Sequence, residues 1–411
     1  MADYRVQCCI AGGGPAGMML GYLLARAGLS VAILEKHADF LRDFRGDTIH
    51  PSTLQVMDEL GLLDDLLKLL HEKVARFAAR FGDETLTIAD LSRLKVKAPY
   101  VAFMPQWDFL DFLADRARAT KHCTLLMQAK VTSLVESGGI VRGVKAETPK
   151  GPQTITADLV VGADGRHSTI RAAAGLTSVA HGAPMDVLWF RVSRHSQDPS
   201  STMGRFDRSR IFIQLNRGDY WQCAYVIPKG SEAVIKAAGI EAFRKELAAV
   251  APAFADRTAE LATMEDLKLL TVQVDRLDTW WKPGLLMIGD AAHAMSPVGG
   301  VGINLAIQDA VAAANLLYRP LKDGTIDTGD LQKVQARREW PAKATQRLQI
   351  TMQNAVIRPA LAGERAPRPP RLLRLLTGVP WLRRTPARLL GLGLRPEHVS
   401  EALRQAIDGQ N

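Results

Sequence analysis

The chain opens on a dense apolar run. Val6, Cys8, Cys9, Ile10 and Ala11 make residues 5–11 a buried strand. Three glycines follow. The apolar spacing then turns helical over 15–27, with Gly28 as the C-terminal stop. A second buried strand spans 31–34. Strand, helix and strand joined this closely form a βαβ unit, which makes the two strands parallel. Residues 40–130 read as mixed helices and loops, with helical apolar spacing over 53–70 and 108–119. Alternation over 131–135 and 141–147, around Gly138-Gly139, predicts a hairpin, and 158–163 predicts a buried strand ending at Asp164-Gly165.

The pattern changes over 181–275. Strands are expected at 187–192, 210–215 and 221–227, the last two joined through Gly218-Asp219, with a helix at 241–250. This stretch reads as an inserted, mostly antiparallel sheet that covers a site. A short buried strand at 285–288 leads through a glycine-rich turn into a long helix over 302–318. From 331 the pattern is helical and proline-punctuated, with 363–370 an exposed loop. The expected fold class is α/β. A Rossmann-like domain with a parallel sheet would come from 1–178 and 276–330, the inserted sheet from 179–275, and a helical basic region from 331–411.

A length of 411 residues exceeds one ordinary core, in keeping with that division. Charge is unevenly placed. The net +9 is more than accounted for by 331–411, which holds 15 Lys and Arg against 5 Asp and Glu, so the first 330 residues are nearly neutral. That argues against a nucleic-acid-binding surface. The Arg/Leu segments at 371–376 and 381–394 suit weak contact with an anionic membrane surface. The plainer reading packs their leucines on the body. The four cysteines, Cys8, Cys9, Cys123 and Cys223, form neither a C-x-x-C pair nor a zinc spacing. No metal site is expected, and inert buried thiols suit a reducing cytoplasm. The N-terminus lacks a signal-peptide pattern. The apolar stretches 12–34 and 298–318 contain polar interruptions at Arg26 and at Asn304, Gln308 and Asp309, and their glycines explain them better than a membrane span does.

Those glycines carry the chemistry. Gly12-Gly13-Gly14-Pro15-Ala16-Gly17 satisfies G-x-G-x-x-G between a strand and a helix, the context a dinucleotide-binding loop requires. Gly12 permits the tight turn, Gly14 lets a pyrophosphate approach the backbone, and Gly17 lets helix and strand pack closely. The helix N-terminus offers free N–H groups to phosphate. Glu35, followed by Lys36, ends the next strand, where an acid accepts hydrogen bonds from a ribose. This motif alone does not separate NAD from FAD.

Two later segments do. One is Gly162-Ala163-Asp164-Gly165-Arg166-His167-Ser168-Thr169-Ile170-Arg171. The other is Gly289-Asp290-Ala291-Ala292-His293, followed by Pro297-Val298-Gly299-Gly300-Val301-Gly302-Ile303-Asn304 and Asp309. With these three motifs in order, residues 5–320 resemble the class A flavoprotein monooxygenases, the para-hydroxybenzoate hydroxylase-like proteins. The resemblance implies an FAD pyrophosphate held by Gly12, Gly14, Pro15, Ala16 and Gly17, and an adenosine ribose held by Glu35, with Lys36 and Val131 nearby. It implies that Asp164 and Gly165 lie near the pyrophosphate and serve NAD(P)H binding. Gly289 and Asp290 would bind the ribityl and pyrophosphate region. Pro297 would lie beside the isoalloxazine ring, with Gly300, Val301, Gly302, Ile303 and Asn304 at its pyrimidine edge. Arg45 and Gln106 fall where the family places polar side chains against the ribityl chain or nicotinamide, and Arg45 and Pro297 are the residues expected nearest the chemistry. The bland alternatives are a solvated loop arginine for Arg45 and helix caps for Asp164 and Asp290. His293 reads as a structural companion of its motif.

The implied reaction uses NADPH or NADH to reduce FAD and O2 to form a C4a-hydroperoxyflavin, which transfers one oxygen atom to an apolar or aromatic small molecule. The cofactor carries the hard step, and the protein positions it and excludes water. No second G-x-G-x-x-G exists for the nicotinamide nucleotide. Rival readings are a flavin-dependent reductase of the same fold, a non-catalytic flavoprotein and a plain NAD-dependent dehydrogenase. A halogenase is disfavoured by the lack of a W-x-W-x-I-P segment.

Overall fold

The computed structural model describes residues 4–41, 48–198, 202–207, 209–363, 368–369, 371–379 and 384–410. Its opening is the βαβ unit: β1 (Tyr4–Ala11), α1 (Pro15–Arg26) and β2 (Val31–Leu34). Pro15 begins α1, where a missing N–H costs nothing, and Gly28 ends it at φ +86°. Three further parallel strands follow in the chain: β3 (Cys123–Leu126), β4 (Gly151–Gly162) and β5 (Leu285–Met287). Their spatial order is β3-β2-β1-β4-β5. The order reverses between β1 and β4, whose carboxyl ends lie side by side with Ala11 opposite Gly162. Such a switch point is where this kind of sheet binds ligands. The expected hairpin is present as Lys130–Ser137 and Ile140–Thr148, paired onto β4.

The long apolar helix α2 (Gly302–Lys322) packs beside α1. The segment Val298–Lys322 is long and apolar enough to cross a membrane, but 72% of its most apolar window is buried inside the body, as befits a core helix.

A second sheet has seven strands in the order Lys268–Leu270, Met185–Ser193, Tyr220–Pro228, Arg210–Asn216, Met203–Asp207, Arg76–Phe81 and Glu84–Asp90. It is antiparallel except where Met203–Asp207 runs parallel to Arg76–Phe81. The last two strands come from the stretch expected to hold only helices and loops. One face packs Leu188, Phe190, Trp221 and Tyr225 against Phe243 and Leu247 of the helix Glu232–Val250. That helix begins earlier than the spacing predicts and breaks at Gly239 (φ +81°). The other face carries Val187, Ile211, Ala224 and Val226 and meets Ile357, Ala360 and Val298. The helical spacing over 53–70 resolves into Pro51–Glu59 and Leu63–Leu66, parted at Gly61 (φ +71°).

The C-terminal region is helical as expected. The helix α3 (Thr328–Met352) starts with a capping box between Asp327 and Asp330 and widens into a π-turn over Gln353–Ile357 before Arg358–Ala362. Arg371–Gly378, Arg384–Gly391 and Glu401–Asp408 follow. Ala387 is buried with Leu91 and Phe103, and Leu390 packs beside them, so this stretch of the tail lies on the body. The remainder of that basic segment, 381–383, and most of the expected loop at 363–370 fall outside the described residues.

Candidate functional site

The first motif forms at the carboxyl end of β1. Gly12 has φ +108°, and a Cβ there would sit 2.4 Å from the Ala163 carbonyl oxygen, so only glycine lets β1 and β4 end this close together. At Gly17 a Cβ would sit 2.0 Å from Gly12 O, which locks loop and helix in contact. Gly14 is different. Its φ is −71°, and a Cβ would meet nothing within 4 Å. It caps α1 without a side-chain hydrogen bond and with no acid in the first turn, so the helix presents unsatisfied N–H groups to open space. An anionic group close to the backbone fits this cradle. Glu35, 7% exposed, accepts from the Gly13 N–H at 3.0 Å and the His37 N–H at 3.1 Å, tying the second strand to the loop.

The other two motifs converge on the same helix end. Asp164 follows β4. Its carboxylate accepts from Ser168 Oγ at 2.5 Å and from the Ile170 N–H at 3.1 Å, while Ser168 Oγ accepts from the Arg171 N–H. Gly165 makes the turn at φ +83°. Gly289 lies after β5 at φ +61°, and a Cβ there would be 3.1 Å from Ala16 Cβ and 3.4 Å from Ala306 Cβ. Its bare backbone lets α1, α2 and the third motif meet. Arg166 Nη2 donates to Asp290 Oδ2 at 3.2 Å, joining the second and third motifs directly. Three segments more than a hundred residues apart therefore share one corner at the switch point.

From this corner the chain runs through Pro297, a short turn at Val298–Gly300 and Val301 into α2. Gly302, the first residue of α2, shares the open space of Gly14. A Cβ would meet nothing within 4 Å, and α2 starts with neither a side-chain cap nor an acid in its first turn. Asn304 fixes the turn from below. Its Oδ1 accepts from the His50 N–H at 3.0 Å and Thr53 Oγ1 at 2.7 Å. Thr48 Oγ1 donates to Gly300 O at 2.8 Å. The His50 ring meets Leu390 O at 2.7 Å, and burial pushes its pKa down to about 4 against the opposing pull of that carbonyl.

Comparison with known proteins decides what this corner belongs to. A family model described as an FAD binding domain matches residues 5–347. The chain is 32% identical over 351 residues to 6-methylpretetramide 4-monooxygenase of Streptomyces rimosus, covering 84% of this chain and 83% of that one. The chain belongs to the class A FAD-dependent monooxygenases. Para-nitrophenol 4-monooxygenase of Pseudomonas sp. strain WBC-3 is 24% identical over 329 residues, covering 77% of this monooxygenase and 78% of the relative. Among solved structures, the OxyS anhydrotetracycline hydroxylase of Streptomyces rimosus superposes with a TM-score of 0.76 at 25% identity, over 97% of this chain and 78% of that one.

The monooxygenase brings most of the sequence-derived candidates to this corner and to the turn before α2. Gln106 is the first residue of the helix Gln106–Arg118, and among the described residues its side chain has no protein partner. Val131 is buried in the apolar cluster beneath the sheet, near the end of β2, where Ala129 N–H bonds Glu35 O. Lys36 is exposed. Arg45 lies outside the described residues.

The monooxygenase also has contacts that its motifs did not spell out. His293, 1% exposed, lies against Asp309, whose carboxylate also takes the Gly289 N–H and Arg338 Nε at 3.0 Å each. Arg338 continues to Glu397 at 3.2 Å. Burial alone would push the Asp309 pKa up, but His293 and Arg338 hold it below the usual carboxylate range. Asp309 seven residues into α2 was the available signal. Thr48, His50 and Thr53 carried none, because a single polar residue before a helix has many uses. Burial pushes the thiol of Cys9 up to about 12 and that of Cys123 up to about 11, so neither is a thiolate at neutral pH. Among the described residues no three His, Cys, Asp or Glu side chains gather as a metal ion would require.

Proposed function

We propose that this monooxygenase takes electrons from NADPH or NADH and inserts one atom of O2 into an aromatic small molecule held between the second sheet and the turn at 297–301. FAD, when bound, supplies the redox and oxygen-activating chemistry. The protein's part is to hold, orient and shield. Gly12, Gly14 and Gly17 with the N-terminus of α1 would bind the pyrophosphate, and Glu35 would turn from the loop amides toward the adenosine ribose. Asp290, already facing Arg166, would take the ribityl and pyrophosphate region. The N-terminus of α2 would place partial positive charge against the pyrimidine edge, where reduced flavin gathers negative charge. Gln106 has an uncommitted amide for the ribityl chain or nicotinamide. We assign 1–178 with 276–330 to cofactor binding and 179–275 to the substrate side, with the strands at 76–90 attached to that side.

One observation carries the substrate assignment. Val298, next to Pro297, packs on the same apolar cluster as Val187, Ala224 and Trp189 of the sheet. Apolar side chains from the sheet and from the flavin turn thus meet across one interface, which favours an aromatic substrate over a charged one. The test follows NAD(P)H oxidation and O2 uptake across a panel of aromatic compounds. Stimulated, coupled consumption by some of them is expected, with peroxide appearing when substrate is left out. NAD(P)H oxidation that no aromatic compound changes would count against the proposal.

A further inference from the structure

The turn that begins at Ser296 is suspended from the C-terminal helix. Gln346, Gln349 and Gln353 lie three and four residues apart, on one face of α3 and its π-turn, and are 1%, 3% and 1% exposed. A primary amide at such depth is costly unless its donors and acceptor are all matched. Here the partners are mostly the backbone of the segment between β5 and α2, together with the Asp275 carbonyl and the Ser296 hydroxyl. Gln346 Nε2 donates to Asp275 O at 2.8 Å and Ala294 O at 3.0 Å. Gln349 Oε1 accepts from the Ser296 N–H at 3.1 Å, and its Nε2 donates to Ser296 O at 3.0 Å and Val298 O at 2.8 Å. Gln353 Nε2 donates to Ser296 Oγ at 2.6 Å. The segment runs through short turns, with Gly299 at φ +82° and Gly300 at φ +63°, and so lacks a regular ladder of its own. The glutamines supply the missing partners. The same helix then widens and places Ile357 on the sheet face that Val298 also touches.

We propose that Gln349 and Gln353 are positioning residues for the flavin: they fix Ser296–Val298 and thereby set how closely Pro297 and the start of α2 approach the isoalloxazine ring. This inference rests on the reading that residues 297–304 line the flavin. It makes the region from 331 onward part of the cofactor site rather than an appendage to it. The two glutamines differ in a way that can be tested. Gln349 both accepts from and donates to the backbone, so a carboxylate cannot replace it. Gln353 makes one hydrogen bond, to a hydroxyl that can reverse its direction, so a carboxyl group keeps that bond whether it accepts from the hydroxyl or, protonated by burial, donates to it.

The experiment measures the FAD dissociation constant by flavin fluorescence and the visible circular dichroism of bound FAD. The proteins are the full chain and the variants Gln349→Met, Gln349→Glu, Gln353→Met and Gln353→Glu, at temperatures well below unfolding. Gln349→Met and Gln349→Glu are expected to weaken FAD roughly tenfold and to change the dichroism band, because the bonds they lose leave buried carbonyls unpaired. Gln353→Met should act in the same direction, and Gln353→Glu should restore both readouts to the wild-type pattern. A merely structural role would lower thermal stability and leave the dichroism of bound flavin unchanged. Wild-type affinity and wild-type dichroism in Gln349→Met would overturn the proposal. Gly302→Val separates this from the underlying reading, since the Cβ it adds meets no protein atom within 4 Å and lies in the open space before α2. If Gly302→Val perturbs FAD and Gln349→Met does not, the glutamine assignment alone fails. If Gly302→Val binds FAD normally, the placement of flavin at 297–304 fails with it.

Discussion

Asp309 and His293 meet at 2.6 Å with both side chains 1% exposed, and the carboxylate oxygen that receives His293 also receives the Gly289 N–H. The third motif is thus fastened to α2 through one buried acid, and through Arg338 to Glu397 near the end of the chain. Removing the acid leaves Arg338 and His293 buried without it. Asp309→Ala is expected to cost about 3–5 kcal/mol in urea unfolding of the apoprotein, the range for breaking one side of a buried ion pair. Loss of less than about 1 kcal/mol would mean that water or Glu397 compensates.

The open space before α1 gives a cleaner separation of cofactor from fold. Gly14 has an ordinary backbone conformation and no atom within 4 Å of where a Cβ would be. Gly14→Val should therefore fold with no more than about 1 kcal/mol lost at this N-cap. It should purify without bound flavin, because the added methyl groups would occupy the space proposed for the pyrophosphate. A yellow Gly14→Val protein with native FAD affinity would refute the cradle.

Asp290 is paired with Arg166 at 3.2 Å and both are partly accessible, so the carboxylate can be shared with a ligand at small cost. Asp290→Ala is expected to weaken FAD binding by on order of 1–3 kcal/mol with the fold retained. Titration of apoprotein with FAD measures this directly, and unchanged affinity would leave Asp290 as a cap alone.

The motifs were legible in the sequence because each depends on backbone that only particular residues permit. Gly12, with its positive φ and its contact with Ala163, has no substitute, and Gly289, at φ +61° between Ala16 and Ala306, strongly favours glycine. The strands Arg76–Phe81 and Glu84–Asp90 were not legible. Most of their side chains are half-buried or exposed, so apolar alternation is weak, and Arg76–Phe81 pairs with Met203–Asp207, more than a hundred residues away. Gln346, Gln349 and Gln353 were hidden for a different reason. A polar residue on a helix reads as solvent-facing, and only the tertiary structure brings the carbonyls of 294–298 against them. Polar groups that serve the backbone of another segment leave no periodic trace.

His50 links the tail to the turn and sets a pH dependence. Its folded pKa of about 4 lies below the ordinary 6.5, so the folded protein takes up its proton later than the unfolded chain does. Its contribution is complete above pH 6.5 and is lost as pH falls from there toward 4, amounting to about 3 kcal/mol over that range. His50→Asn retains an amide donor for Leu390 O and has no such titration. Urea midpoints between pH 7 and 5 should fall more steeply for the wild type than for His50→Asn. Parallel slopes would show that His50 titrates alike in the folded and unfolded chain.

Oxygen from O2 is expected to enter the product. Turnover of an accepted aromatic substrate with NAD(P)H under isotopically labelled O2, followed by mass analysis of the product, measures this directly. One labelled atom per product molecule is expected, and no product when O2 is removed. Unlabelled product, with exchange against solvent excluded, or equal product formation without oxygen, would contradict it and identify a reductase on the same fold.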